Sequence, residues 1–357
     1  QFYAASAISD KVSKTKWDEK NQRGGFIWHT TGSGKTMTSF KSAQLIANSN
    51  DADKVVFLTD RIELGTQSLK EYRAFADEDE SVQATENTYV LISKLKSTDP
   101  ADTLIVTSIQ KMSNIKDEEG GLNSKDIEII NAKRLVFIVD EAHRLHQYKN
   151  ISYMGAFKAS CKRIGLTTES DELDWILHQC KCPVLFYDEM QIVGPSGIDV
   201  KRFGSKMKIE QAKRMLTYYS LQTQMRVKGG NDYIAYVKEI LSGEVKSKKS
   251  FANYNLILMT DFTKFNNLMY QKEKEVGLVR MAAGYAWDWL SKNDKTVYDI
   301  EIQEIKKQWN HCTEGWVHSE NAIDEVGCIH SIQGYDLNYA FIILGDEIGY
   351  DPDEKIL

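Results

Sequence analysis

His29-Thr30-Thr31-Gly32-Ser33-Gly34-Lys35-Thr36, entered from the apolar run Phe26-Ile27-Trp28, is the stretch on which the reading of this chain turns. Small residues at Gly32 and Gly34 let consecutive backbone N–H groups turn inward on an anion, and the helix that follows aims its positive end at the same place. Lys35 then reaches the β- and γ-oxygens of a triphosphate, and Thr36 offers a hydroxyl to Mg2+. Thr31, Gly32, Ser33, Gly34, Lys35 and Thr36 are accordingly read as a nucleotide-binding loop. A plain strand-to-helix turn would use glycine and serine too, but has no need of Lys-Thr at this offset. The strict pattern G-x-x-x-x-G-K-[ST] asks for glycine where His29 stands, while the half that carries the chemistry, Gly-x-Gly-Lys-Thr, is complete.

Outward from this loop, short β-branched runs alternate with helical patterns, as in βαβ units on a parallel sheet. Strands are expected at residues 25–29, 54–58, 103–107, 134–139 and 183–187. Crossover helices are expected at 37–49 and 62–75, where apolar residues recur every three to four positions. Five such strands make one RecA-like layer. A second, smaller layer is expected from strands at 254–260, 277–283, 325–330 and 339–344. The acidic tracts 77–80 and 117–121 read as solvated loops. Lys201-Arg202-Phe203-Gly204-Ser205-Lys206-Met207-Lys208 reads as a solvated basic helix face, with phosphate contact as the other reading.

With 357 residues the chain can bury two sizeable cores. Its net charge of −6 provides no general basic field, so nucleic-acid binding would rest on local patches. No apolar run approaches the ~18 residues of a membrane span. The chain opens on Gln1 rather than a signal peptide, which leads us to expect an internal segment of a cytoplasmic protein with no membrane partner. Five cysteines without CxxC spacing argue for reduced thiols. His178, Cys180 and Cys182 lack the second pair that a metal cluster would need.

Arg134-Leu135-Val136-Phe137-Ile138-Val139-Asp140-Glu141-Ala142-His143 reads as a buried strand ending in two carboxylates, which is where a Walker B element belongs. Asp140 would hold Mg2+ and Glu141 would take a proton from the attacking water; a metal-bound triphosphate needs both functions beside the loop. His143 either couples this site to the nucleic-acid cleft or caps local structure. Tyr285, Trp287 and Trp289 follow an expected strand, where they offer rings for base stacking or for core packing.

These residues bring two families into view. The loop with its Gly24-Gly25 approach, Val55-Val56-Phe57-Leu58-Thr59-Asp60-Arg61, Ile105-Val106-Thr107-Ser108-Ile109-Gln110-Lys111 and the Asp-Glu-Ala-His box resemble the motor subunit of type I restriction enzymes over residues 1–144. That resemblance implies that His29 is normal at its position, that Gln1 reads adenine, and that Arg61, Thr107 and Gln110 lie near the DNA backbone. From Asp140 onward, Leu173-Asp174-Trp175-Ile176-Leu177, Asp188-Glu189-Met190-Gln191, Gln224-Met225-Arg226, Gly284-Tyr285-Ala286-Trp287-Asp288-Trp289 and His330-Ser331-Ile332-Gln333-Gly334 resemble the DUF2075, or Schlafen group 3-like, DNA/RNA helicase domain. This second resemblance implies that Gln191 senses the γ-phosphate and that Arg226 reaches the nucleotide from the second layer. It also implies that His330, Gln333 and Gly334 form a motif contacting nucleic acid and nucleotide. The two resemblances meet at residues 140–144, a pattern expected of a hybrid joined at the shared box.

Together these readings give an α/β P-loop NTPase with two RecA-like parallel-sheet domains, 1–215 and 216–357. The second is expected to be truncated, because no motif VI arginine precedes Leu357. Catalysis is assigned to Lys35, Glu141, Gln191 and Arg226, with ATP and Mg2+ as cofactors and Thr36 and Asp140 on the metal. The expected activity is ATP hydrolysis coupled to binding or translocation on DNA or RNA, with modification and specificity subunits of a restriction complex as partners. A nucleotide-gated switch with little turnover, or a fragment without a working motor, are the other readings. Since an arginine finger contributes on the order of 10³–10⁵ in rate, slow hydrolysis is expected without one.

Overall fold

The computed structural model describes the chain except for residues 19–22, 31, 60–82, 86, 116–121, 148–153, 164, 193–194, 214, 226, 313–314, 333–334, 346–347 and 350–357. The expected helix at 62–75 and both acidic tracts lie outside the described residues. The fold is α/β with two parallel-sheet lobes, in compact units Gln1–Met225 and Arg226–Leu357.

Unit one is built on β1 (Arg23–His29), β2 (Lys54–Thr59), β3 (Gln83–Ala84), β4 (Leu104–Ser108), β5 (Leu135–Val139), β6 (Cys182–Tyr187) and β7 (Met215–Leu221). They form a parallel sheet of order β3–β4–β2–β5–β6–β1–β7. β2 and β6 are buried along their whole length, as expected of central strands covered on both faces. The two-residue alternation divides the core. Val55 and Phe57 face α1 (Phe2–Ser13) and α2 (Lys35–Ser49), packing with Ile8, Val12, Phe40 and Ile46. Val56 and Leu58 belong to the opposite cluster, with residues of the helices that follow. These are α3 (Thr88–Lys96), α4 (Ile109–Asn114), α5 (Ser124–Asn131), α6 (Met154–Arg163), α7 (Glu172–Gln179) and α8 (Val200–Lys213). Leu91 and Leu95 of α3, Leu173 and Leu177 of α7, and Phe203 and Met207 of α8 supply that cover.

All five strands expected in the first layer are present, with ends shifted by no more than two residues. The helix expected from residue 37 starts at Lys35. β7 was not anticipated. Its Tyr218 and Tyr219 are exposed on a sheet edge, so the strand lacks the apolar run that marks its neighbours. Because β7 pairs along its full length with β1, a boundary after residue 215 would cut it from its sheet; the first unit runs to Met225.

Unit two carries α9 (Gly230–Leu241), α10 (Phe262–Val276), β8 (Val279–Ala283), the antiparallel hairpin β9 (Ile300–Ile302) and β10 (Ile305–Lys307), β11 (Val326–Gly327), α11 (Ile329–Ile332) and β12 (Tyr339–Ile343). β8 lies between β11 and β12, all parallel. Two expectations fail here. Residues 255–260 form no strand; only Tyr254 bridges, to Phe251, while Ile257 and Leu258 are 65% and 86% exposed. An apolar run is a strand only where a neighbour offers a ladder, and none is found for it among the described residues. The strand expected over 325–330 ends at Gly327, because Asn310 Oδ1 takes the Cys328 N–H at 3.1 Å and the chain turns into α11.

The fit of β1 in its slot leaves no room for side chains at two positions. A Cβ on Gly24 would fall 2.6 Å from the Pro183 carbonyl oxygen of β6, and one on Gly25 would strike the Thr217 carbonyl of β7. Gly25→Ala should lower stability by about 2 kcal/mol or more, since backbone cannot yield as a side chain does. Urea midpoints check this, and a midpoint equal to wild type would show that β1 sits less tightly.

Candidate nucleotide site

The carboxyl ends of β5, β6 and β1 lie side by side, and each carries polar groups into one place. From β1, the chain passes through Gly32 (φ +79°) and Gly34 (φ +82°), left-handed positions that glycine occupies without strain. Gly34 is the N-cap of α2, so Lys35 opens the helix, and the side chain of Lys35 is 9% exposed. His29 Nδ1 lies 2.7 Å from Ser33 Oγ, which fastens the loop to its own strand. Gln1 Nε2 donates to the Ser33 carbonyl at 3.2 Å.

Lys35 Nζ stands 2.7 Å from Oε2 of Glu141, the second residue past the end of β5. Asp140, buried beside it, accepts a hydrogen bond from Ser39 Oγ at 2.7 Å. Ser39 escaped the sequence reading, although its place one turn after Lys35 puts it on the same helix face. Burial alone would raise the Glu141 pKa, but the Lys35 ammonium, His143 and Arg144 together hold it well below the usual carboxylate range. His143 is fully buried, with Nε2 2.8 Å from Glu141 Oε2 and Nδ1 accepting the Asp188 N–H at 3.3 Å. These partners select the tautomer protonated at Nε2. Burial lowers the His143 pKa, so the ring is neutral. Gln191 Nε2 donates to Asp188 Oδ2 at 2.6 Å, so the carboxyl end of β6 is linked to Glu141 through His143.

Thr36 is half-buried in the first turn of α2. The Thr107 hydroxyl is buried and accepts from Thr85 Oγ1 at 2.9 Å, so its side chain is not presented to solvent. Gln110 lies in α4, with its side chain outside what is described. Thr31, Arg61, Arg226, Gln333 and Gly334 lie outside the described residues. His330, in α11, is half-buried beside Tyr285. The basic face of α8 is partly spent inside the unit: Arg202 Nε lies 2.5 Å from Asp171, and Lys206 pairs with Asp171 and Asp174. Trp287 and Trp289 pack against the core of unit two. Among the described residues no group of three or more His, Cys, Asp or Glu is arranged to hold a metal, and no helix is long and apolar enough to cross a membrane.

A family model described as the Schlafen group 3, DNA/RNA helicase domain matches residues 26–357. The chain belongs to this family. The likeness expected only from residue 140 onward thus extends through the nucleotide loop. Membership in the Schlafen group 3 helicase domain family brings a helicase-type, ATP-driven activity associated with nucleic acid. Part of the chain is also similar to type I restriction proteins. A Mycoplasma pneumoniae protein named as the C-terminal part of the MpnIIP endonuclease subunit is 39% identical over 148 residues, covering 40% of this chain and 69% of that one. The SsaAORF53P endonuclease subunit of Staphylococcus saprophyticus is 40% identical over 144 residues, covering 40% of this chain but only 14% of its own length. Among solved structures, a DEAD box protein from Methanococcus jannaschii aligns at 14% identity over 94% of this chain and 77% of its own, with a TM-score of 0.37.

His29 generates a pH prediction. Burial, helped by the Lys35 ammonium and opposed by Glu141, lowers its pKa from 6.5 to about 3. The unfolded chain therefore binds a proton between those values that the folded chain refuses. Stability should fall as pH drops below about 6.5, by at most about 1.4 kcal/mol per pH unit from this group. His29→Gln should flatten that fall, read as urea midpoints between about pH 7 and 5. An unchanged slope would mean that the imidazole charges within the native state.

Proposed function

We propose that this chain is the motor segment of a nucleic-acid-dependent ATPase, using ATP and Mg2+ to act on DNA or RNA. The Lys35–Glu141 pair beside Asp140 carries the reading. Lys35 Nζ has that ion pair but no hydrogen bond of good geometry among the described residues, so its hydrogens remain available to phosphate oxygens. The left-handed glycines open the loop backbone for the same anion. Thr36 and Asp140 fit the one or two protein ligands that Mg2+ takes when phosphates and waters complete its shell.

ATP would supply the phosphoryl group for transfer to water, and Mg2+ the charge that draws electrons from it. For the chain's own part, Lys35 offsets the charge of the phosphoryl oxygens. Glu141, held ionised, accepts the proton of the attacking water, and His143 fixes the carboxylate's orientation. Gln191 reports on the γ-phosphate through Asp188. Gln1, Thr31, Arg226, Gln333 and Gly334 complete the nucleotide contacts, and Arg61, Gln110 and His330 the nucleic-acid ones, as the resemblances imply. For Thr107 only the main chain is left to make such a contact, since its hydroxyl is engaged inside the sheet.

The likeness to restriction endonuclease subunits supports DNA as substrate, and a cytoplasmic restriction complex with modification and specificity subunits as the setting. One family model spans residues 140–144. Strands from both sides of that segment also interleave in one sheet. We therefore read the two resemblances as a single lineage rather than as a chain joined at the Walker B strand. A gated variant of the function draws on the same ion pair. Glu141 cannot serve as base while it holds Lys35, so turnover waits until phosphate takes the ammonium.

Phosphate release with and without oligonucleotide tests the proposal. Wild type should turn over faster with nucleic acid, Lys35→Ala should lose about a hundredfold or more, and Glu141→Gln should lose a comparable factor while still binding ATP. Oligonucleotide-stimulated hydrolysis surviving in both variants would defeat the assignment. Tight ATP binding without multiple turnover in wild type would favour the gated variant.

A further inference from the structure

β8 and β11 are neighbours, and the segments leaving their carboxyl ends bring Tyr285 and His330 together, with ring centroids 6.5 Å apart. Carboxyl ends of parallel strands are where open α/β sheets receive ligands. Of the three aromatic residues in this segment, only Tyr285 turns its ring outward, at 56% exposure, while Trp287 and Trp289 pack on the core. Beneath it stands Trp309, 1% exposed, with ring centroids 5.7 Å apart. Trp289 lies 6.4 Å from Trp309 on its other side, and Lys292 Nζ sits 5.8 Å over the Trp289 ring. Pairwise contacts thus link Lys292, Trp289, Trp309, Tyr285 and His330 in turn. A solvent-facing ring rests on a buried indole, with an imidazole beside it.

We propose that Tyr285 is a base-stacking platform for single-stranded nucleic acid, with Lys292 placed to meet the strand's phosphates. The assignment rests on the nucleic-acid reading above and names a residue in unit two that performs it. A nucleobase suits this cluster better than an apolar side chain does, because stacking uses the Tyr285 ring face while phosphates use an ammonium carried by the same aromatic cluster. Preorganisation by Trp309 matters energetically. A ring already fixed loses little freedom when a base covers it.

Fluorescence anisotropy with labelled twelve-nucleotide strands tests this, using DNA and RNA of the same sequence in separate arms. Tyr285→Ala should weaken binding about tenfold, the scale of one base–aromatic stack, and Tyr285→Phe should stay within about twofold of wild type. The salt dependence should be unchanged in Tyr285→Ala and reduced in Lys292→Ala, since only the lysine releases counterions. A strand with abasic sites should close the gap between wild type and Tyr285→Ala, which a merely structural role would not do. Melting temperature and affinity for a fluorescent ATP analogue should be unaltered. Equal binding by Tyr285→Ala and wild type, or a gap persisting on the abasic strand, overturns the platform and leaves the ATPase reading standing. Wild type binding neither DNA nor RNA overturns both.

Discussion

The placement of β1 between β6 and β7 is the constraint from which the rest of unit one follows. An early strand is inserted between two that come some 160 to 190 residues later, and the register Trp28↔Tyr187 and His29↔Leu221 fixes where it ends. Only backbone fits at Gly24 and Gly25, because the neighbouring carbonyls occupy the space a Cβ would take. The loop from His29 to Lys35 therefore emerges next to the carboxyl end of β6, with β5 one strand further on. Three strand ends that are remote in sequence then deliver ammonium, carboxylates and imidazole to one place.

Charge at this site is balanced at short range. Burying an ammonium or a carboxylate alone is costly, and the pair offsets that cost only if it stays together. Lys35 and Glu141 meet that condition through their 2.7 Å contact, with Arg144 3.9 Å from the same oxygen. His143 stays neutral because burial and the adjacent cations disfavour a further positive charge. It can therefore donate to Glu141 through Nε2 without adding a proton to the site. An anion entering beside Lys35 would replace Glu141 as its partner and so free the carboxylate.

Most of unit one was legible because its signals are local. Gly-x-Gly-Lys-Thr marks its own turn, and β2, β5 and β6 announce themselves as apolar runs covered on both faces. What escaped was long-range. β7 is recognisable only through its pairing with β1, and the roles of Ser39 and Asp188 depend on side chains approaching across the sheet. The Thr107 hydroxyl likewise accepts from Thr85 inside the sheet, a partner that no motif announces. Residues 255–260 have the composition of a strand and no ladder to join, since composition describes what a strand would bury rather than what it would bind.

Unit two was less legible because its frame is held by side chains rather than by long strands. Glu325 accepts from the His311 N–H at 3.0 Å and from the Trp316 indole at 2.7 Å, just before β11 begins. Asn310 Oδ1 takes the Cys328 N–H where β11 ends, while Trp309 bridges Val326 in parallel. The segment around Trp309 is thereby laced to the two-residue strand that leads directly to His330. Tyr285 reaches the same place from β8, the other neighbour of β11. Trp309 thus serves both as core and as the seat of the exposed ring, so the orientation of Tyr285 toward His330 is set by the packing that keeps β11 in its sheet. Two stretches that the second resemblance singled out, Gly284–Trp289 and His330–Gly334, thus meet through Tyr285 and His330 on one packed frame.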